Sequence, residues 1–458
     1  MAIATINPAT GETVKEFAPH DAAAIEKGLA EAQAAFEALH STTYAQRAEW
    51  MRAAAELVEA DADELARIMT LEMGKPLAQA KAEALKCAKN MRFYAEHAEG
   101  FLADEPLDDP SSVGAAQAYA MYQPIGVVLA VMPWNYPMWQ VIRFAAPALM
   151  AGNTGVLKHA SNVPQTALYL DTVFERAGFP VGSFRTLLIG SKEVEAVIRD
   201  RRVQAVTLTG SEPAGRSVAA IAGSEVKHSV MELGGSDPFI VMPSADLDAA
   251  ATTAVKARNQ NNGQSCIAAK RFLVHADVYD RFAQLFAEKT RALKVGDPFD
   301  ATVDVGPVAT SSGRDDLIEL VDDAVAKGAT VLVGGKSVEG PGWFYEPTVL
   351  TDLTDDMRIV MEETFGPVAS LYRFDTREEA VRIANQTTFG LSSAVWTQDA
   401  DDEAYFVREL EAGAVFINGM TVSYPELPFG GIKNSGFGRE LAKEGIREFM
   451  NVKTVWKG

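Results

Sequence analysis

At 458 residues the chain exceeds what one hydrophobic core usually organises, and 48% hydrophobic with 23% charged residues exclude a disordered or fibrous chain, so two or three folded units are expected. The formal net charge of −20 excludes the basic face that a nucleic-acid partner requires, and an anionic ligand must then be held by locally placed Lys or Arg. Two cysteines without paired spacing and six scattered histidines offer neither a disulfide framework nor a metal site, and Pro8, Gly11, Glu12 and Glu16 stand where a signal peptide needs an apolar run; with no stretch of membrane-spanning length, a cytoplasmic protein without a membrane partner is expected.

Ile25, Leu29, Phe36 and Leu39 recur at helical intervals, and Thr43 with Gln46 forms a capping box for a second helix, so the chain up to about residue 100 reads as mainly helical. From about residue 125 short apolar runs alternate with amphipathic segments: Gly126 to Met132, Thr154 to Leu157, Phe184 to Ile189, Ala205 to Thr209 and Ser229 to Leu233. That alternation predicts a parallel sheet with crossover helices. After Gly234-Gly235 a second set follows, Phe239 to Met242, Arg271 to Val274, Ala329 to Val333 and Ala414 to Ile417, predicting a second α/β domain. Residues 115–123 and the tail Asn451 to Trp456 look extended and are expected to pair as a small oligomerisation flap.

Three residues have the chemistry of a covalent catalyst. Cys266 ends the polar stretch Gln260-Asn261-Asn262-Gly263-Gln264-Ser265, where a thiol can be accessible, although a small buried cysteine is the ordinary alternative. Glu232 ends an apolar run before Leu233-Gly234-Gly235; it is either a strand-end ion-pair partner or a carboxylate raised toward neutrality and suited to general-base work on water. Asn135, in Pro133-Trp134-Asn135-Tyr136-Pro137, fits a helix N-cap and also a fixed amide donor for a developing oxyanion.

Together with Leu208-Thr209-Gly210-Ser211, Glu362-Glu363-Thr364-Phe365-Gly366-Pro367 and Pro428-Phe429-Gly430-Gly431, these motifs resemble the aldehyde dehydrogenase superfamily over essentially the whole chain. The resemblance implies an α/β fold of two Rossmann-like parallel-sheet domains plus a small β flap. Its expected division is a dinucleotide-binding domain over 1–106 and 124–234, a catalytic domain over 235–438, and an oligomerisation segment over 107–123 and 439–458 serving a homodimer or homotetramer. It also implies a mechanism. The Cys266 thiolate attacks an aldehyde, Asn135 and the Cys266 N–H hold the oxyanion, hydride leaves for a nicotinamide, and Glu232 activates the water that hydrolyses the thioester. No metal takes part.

The usual dinucleotide fingerprint is absent, but Gly210-Ser211 follows a strand and opens a helix, with Gly215 a turn later, where a pyrophosphate can be received. By the resemblance Lys158 binds the adenosine ribose, Glu363 the nicotinamide ribose, and Phe365 packs near the nicotinamide, with Pro133, Trp134 and Leu233 completing the cofactor site. Ser161 stands where many NAD-preferring relatives have glutamate, so NADP is the expected cofactor, with NAD as a tolerated alternative; a helix N-cap before Pro164 is the competing account. If a helix begins near Tyr136, then Asn135, Trp139 and Arg143 share one face, and Arg143 is placed either to clamp a substrate carboxylate or in a surface salt bridge.

Lys158-His159-Ala160-Ser161-Asn162 and Gly419 to Leu427 resemble bacterial succinate-semialdehyde dehydrogenases. That implies a four-carbon aldehyde whose far carboxylate meets Arg143 and Ser423, with Trp139 and Phe429 shaping the passage. Other ω-carboxylate aldehydes such as glutarate semialdehyde are the alternative, and a cofactor-independent thiol esterase is a third reading.

Overall fold

The computed structural model describes residues 2–458. Two parallel sheets organise it. In the first, the strands run in the order Gly436–Phe437, His228–Glu232, Val203–Thr209, Val127–Met132, Thr154–His159, Phe184–Thr186, all parallel except the short first strand at the edge. The chain order reverses beside Val127–Met132, whose neighbours are Thr154–His159 on one side and Val203–Thr209 on the other. Open α/β sheets bind ligands outside the carboxyl ends of the strands at such a reversal. Asn135 and the Gly210-Ser211 turn both follow strands that flank it.

The second sheet runs Thr330–Val333, Thr348–Thr351, Val368–Phe374, Ala269–His275, Asp237–Val241, Ser393–Trp396, Val415–Ile417, parallel except for Thr330–Val333. Its central strands are apolar on both faces because helices cover both. The carboxyl end of His228–Glu232 leads through Leu233-Gly234-Gly235 directly into Asp237–Val241, so the crossing between the two sheets places Glu232 at the seam.

The expected flap forms: Gln117–Pro124 pairs antiparallel with Met450–Lys457 and with Glu105–Pro106. The stretch between residue 439 and the last strand does not belong to it. Leu441, Ile446 and Phe449 are buried in the same core as Met51, Tyr94 and Phe144, so the helix Ala442–Arg447 is part of the first domain. Likewise Gly436–Phe437 completes the edge of the first sheet.

The N-terminal region is helical from Ala22, and the Thr43–Gln46 capping box is present in both directions. Its first residues, however, form a hairpin, Ile3–Asn7 with Glu12–Phe17. The turn is local chemistry: the Asn7 side chain accepts from the Ala9 N–H at 3.0 Å and Gly11 takes a φ of +76°. The Phe184 run is strand only to Thr186.

Candidate active site

Cys266 lies at the end of a loop built by side-chain amides. Asn261, Asn262 and Gly263 take φ values of +58°, +57° and +73° in succession, a conformation that asparagine and glycine tolerate best. The loop is buried. Asn262 donates to the carbonyls of Gly74 and Pro307, each at 2.8 Å, and accepts from the Gly306 N–H at 2.8 Å. Gln264 accepts from the Ala309 N–H at 2.9 Å, and Arg258 donates to the Gly263 carbonyl. The polar stretch therefore replaces backbone partners that no regular element supplies.

Asn135 is tied to the same loop. Its Nδ2 donates to the Gln264 carbonyl at 3.2 Å, and its own carbonyl accepts from Asn261 Nδ2 at 2.8 Å. It is not the helix cap. The following helix is Trp139–Ala151, capped at Met138, and the free N–H groups of Met138 and Trp139 donate to the Glu83 carboxylate at 3.0 and 2.9 Å. A buried acid from another helix has taken the capping role. One Asn135 amide proton and the Cys266 N–H have no acceptor among the described residues, which is what an oxyanion site requires.

Glu232 is 2% exposed, and neither carboxylate oxygen has a hydrogen-bond partner among the described residues. Among the described residues no salt bridge forms at this strand end. Burial holds its pKa well above the usual carboxylate range, the charge of Glu440 raises it further, and Arg143 and Arg439 act the other way. The backbone is cut to fit the acid: a Cβ on Gly430 would stand 2.7 Å from Glu232 Oε1. Cys266 is half-buried, its thiol pushed up to about 12 by desolvation against the pull of Arg143 and Lys270, and the charge of Glu232 reaches it. The other cysteine, Cys87, is wholly buried in the helix Leu77–Phe101, with its thiol pushed well above the ordinary range.

Lys270, which the sequence did not single out, holds the nucleophile from behind. Its buried ammonium donates to the carbonyls of Ser265 at 3.0 Å and Cys266 at 2.6 Å, and lies 3.3 Å from Glu363 Oε1. Glu363 also accepts from the Gly235 N–H at 3.0 Å, and a Cβ on Gly234 would fall 2.4 Å from its Oε2, so this acid lies across the turn after Glu232. Phe365 packs edge-on against Trp134 at 5.7 Å. Gly215 lets its helix, Glu212–Ser224, close onto Leu233, where a Cβ would come within 2.5 Å.

Lys158, next to last in the strand Thr154–His159, is half-buried, with its pKa lowered by burial and no carboxylate within ion-pair range among the described residues. A desolvated cation at the reversal of a parallel sheet, one strand away from the strand that leads into the Ser211 helix start, fits a phosphorylated dinucleotide. Ser161 does not cap the next helix. That helix, Pro164–Arg176, is capped at Val163, and the N–H groups of Gln165 and Thr166 donate to Glu72 at 2.7 and 3.1 Å.

A cavity of about 520 Å³ opens at Cys266, lined among others by Trp139, Arg143, Ser423 and Phe429. Trp139 and Arg143 share a helix face as expected, but Asn135 lies before the helix. Arg143 is in no surface salt bridge: it is 2% exposed, its Nε is 2.5 Å from Glu440 Oε2, and its guanidinium stacks on Phe429. Glu83 and Lys86, which line the cavity, and Glu440, the partner of Arg143, also escaped the sequence reading. The available signal was charge on the inner face of a helix: Glu83 lies between Ala80, Ala84 and Cys87, all buried.

The aldehyde dehydrogenase family model matches residues 1–455. The chain belongs to the aldehyde dehydrogenase family. It is 66% identical over 459 aligned positions to the NADP(+) succinate-semialdehyde dehydrogenase of Mycobacterium avium, covering 100% of this chain and 97% of that one. Identity to the corresponding protein 1 of Mycobacterium tuberculosis is 63%, covering 100% of both. Among solved structures, succinic semialdehyde dehydrogenase from Streptococcus pyogenes in complex with NADP+ superimposes with a TM-score of 0.96 at 36% identity, covering 99% of each chain. The α/β fold with two parallel-sheet domains is thus that of the family. Among the described residues no helix is long and apolar enough to cross a membrane.

Proposed function

We propose that the protein oxidises succinate semialdehyde to succinate with NADP as cofactor, through a thioester on Cys266. The observation that carries this reading is the surroundings of Cys266: a half-buried thiol on a cavity that cationic side chains also line, an Asn135 amide tied to the same loop, and the buried Glu232 carboxylate, unpartnered among the described residues, whose charge reaches the thiol. The names and cofactors of the similar proteins support the substrate and the cofactor.

With its proton released to solvent, the Cys266 thiolate Sγ bonds to the aldehyde carbon as the C=O π bond breaks, and the carbonyl oxygen becomes an alkoxide received by Asn135 Nδ2 and the Cys266 N–H. NADP+, when bound, would supply the hydride acceptor by which the adduct carbon reaches the thioester oxidation level. Glu232 in its deprotonated form, made a stronger base by burial, takes a proton from water as the water oxygen bonds to the thioester carbon, and the C–S bond breaks to give carboxylate and thiol. Lys270 keeps the Cys266 turn in place. Lys158 and Ser161 would hold the adenosine end, with Pro133, Trp134, Gly210, Ser211 and Leu233 along the cofactor path and Glu363 and Phe365 at the nicotinamide end. Trp139, Ser423 and Phe429 shape the substrate passage, and Arg143 offers N–H donors on its wall.

The assay is NADP reduction with succinate semialdehyde, run against NAD and on Ser161→Glu. NADP is expected to give the higher kcat/KM, and a glutamate near the 2′-phosphate to reverse the preference; an unchanged ratio in Ser161→Glu removes the cofactor assignment. The cavity volume favours a second reading in which longer ω-carboxylate aldehydes such as glutarate semialdehyde are also oxidised. The exposed Val452 and Trp456 on the outer flap strand suit pairing with another copy, as a homodimer or homotetramer.

A further inference from the structure

Lys270 follows Cys266 closely, in the strand Ala269–His275, and its side chain turns back onto the loop that the chain has just left. It is 2% exposed. An ammonium has three donors, and three oxygens lie within their reach: the Ser265 carbonyl at 3.0 Å, the Cys266 carbonyl at 2.6 Å and Glu363 Oε1 at 3.3 Å. The carboxylate supplies the counter-charge that a buried lysine requires.

The two carbonyls belong to the two peptide units that flank the Cys266 α-carbon. A peptide unit is planar and trans, so its N–H points opposite to its C=O. Ser265 C=O and Cys266 N–H share one unit: with the Ser265 oxygen directed at Lys270, the Cys266 N–H is directed away from it. The Ser265 oxygen also accepts from the Ala268 N–H at 3.1 Å, so this unit cannot rotate without losing two hydrogen bonds. Holding the next unit through the Cys266 oxygen fixes both backbone torsions of Cys266, and with them the direction in which its Cβ leaves the chain. Gly235 gives the Cys266 oxygen its space, since a Cβ there would stand 2.8 Å from it.

We infer that Lys270 is a positioning residue that aims the oxyanion donor: through the Ser265 and Cys266 carbonyls it directs the Cys266 N–H toward the alkoxide, and its third donor ties that arrangement to Glu363. The inference rests on the proposed reaction, in which this N–H and Asn135 receive the alkoxide. A preorganised donor acts because it is aimed before the charge develops, so loss of aim lowers the rate even where the thiol is intact. A cation on the carbonyl side of a peptide unit also polarises the unit toward a stronger N–H donor.

Two reactions of the same thiol separate aim from reactivity. In acylation by p-nitrophenyl acetate, Sγ bonds to the ester carbon through an oxyanion and p-nitrophenolate leaves. In alkylation by iodoacetamide, Sγ bonds to the methylene carbon and iodide leaves, with no oxyanion. Both begin with loss of the thiol proton to solvent and both need the folded site, so the ratio of the two rates, measured on the full chain with Cys266→Ala as background, is independent of the fraction folded or ionised. That ratio should fall about 10- to 100-fold in Lys270→Met and in Asn135→Ala alike, and Lys270→Arg, which keeps N–H donors for both carbonyls, should recover most of it. A ratio unmoved by Asn135→Ala overturns the oxyanion assignment and this inference together. A ratio that falls in Asn135→Ala but holds in Lys270→Met, or a fall in Lys270→Met that Lys270→Arg does not lessen, overturns this inference alone.

Discussion

The reacting end around Cys266 and the cavity that opens from it are built by different means. At the reacting end, Cys266, Asn135 and Glu232 are positioned by backbone: a run of left-handed residues, a strand terminus, and glycines that let neighbouring chains approach within contact distance. On the cavity wall, Lys86, Trp139 and Ser423 come from three distant segments and touch only through side-chain atoms. The first arrangement permits little variation, because moving one group moves the chain that holds the next. The second can change residue by residue without disturbing the fold. Chemistry is accordingly fixed around Cys266, and choice of substrate is adjustable along the cavity.

The sharpest way to break the comparison is at the nucleophile. Cys266→Ala removes the only atom able to carry the acyl group, and NADP reduction should fall by about 10⁵-fold or more with every aldehyde, at unchanged stability. A selective loss with carboxylate-bearing aldehydes only would contradict the division of labour. Steady-state assays with succinate semialdehyde and with butyraldehyde, which lacks the carboxylate, decide it.

Glu232→Gln should be less severe, about 10²- to 10⁴-fold in kcat, because the thioester still forms and only its hydrolysis loses the base. Rapid mixing would then show a burst of close to one NADPH per active site followed by slow turnover. The pH profile has a definite sign. A carboxyl raised by burial and by Glu440 acts as base only once deprotonated, so wild-type kcat should climb with pH across a limb lying well above the ordinary carboxylate range. Glu232→Gln should flatten that limb. A limb that persists in Glu232→Gln would assign the titration to another group.

Much of the reacting end was legible in the sequence because its parts are local. A strand ending in Glu-Leu-Gly-Gly or followed by Pro-Trp-Asn carries its geometry in consecutive residues, and the apolar runs mark the long strands of the first sheet and part of the second, without Thr348–Thr351, Val368–Phe374 and Ser393–Trp396. What escaped detection is made by distant pairs. Nothing near Asn135 or Ser161 announces that Glu83 and Glu72, from distant helices, cap the helices after them. Nothing near Arg143 announces Glu440, almost three hundred residues later, with which it is ion-paired. The N-terminal hairpin was overlooked for the opposite reason: its strands are short and its turn, from Asn7 to Gly11, is legible only as turn chemistry.

The smallest expected effect tests the adjustable cavity wall most directly. Ser423→Ala removes the acceptor shared by Lys86 and Trp139 and the hydroxyl offered to the substrate, but leaves the Lys86 and Arg143 charges in place. The loss should therefore be that of one hydrogen bond, about a 3- to 10-fold rise in KM for succinate semialdehyde, with kcat nearly unchanged and butyraldehyde little affected. An equal rise for both aldehydes would make Ser423 a packing residue. A rise confined to succinate semialdehyde, beside uniform loss in Cys266→Ala, would show recognition and chemistry as separable properties of the cavity wall and the reacting end.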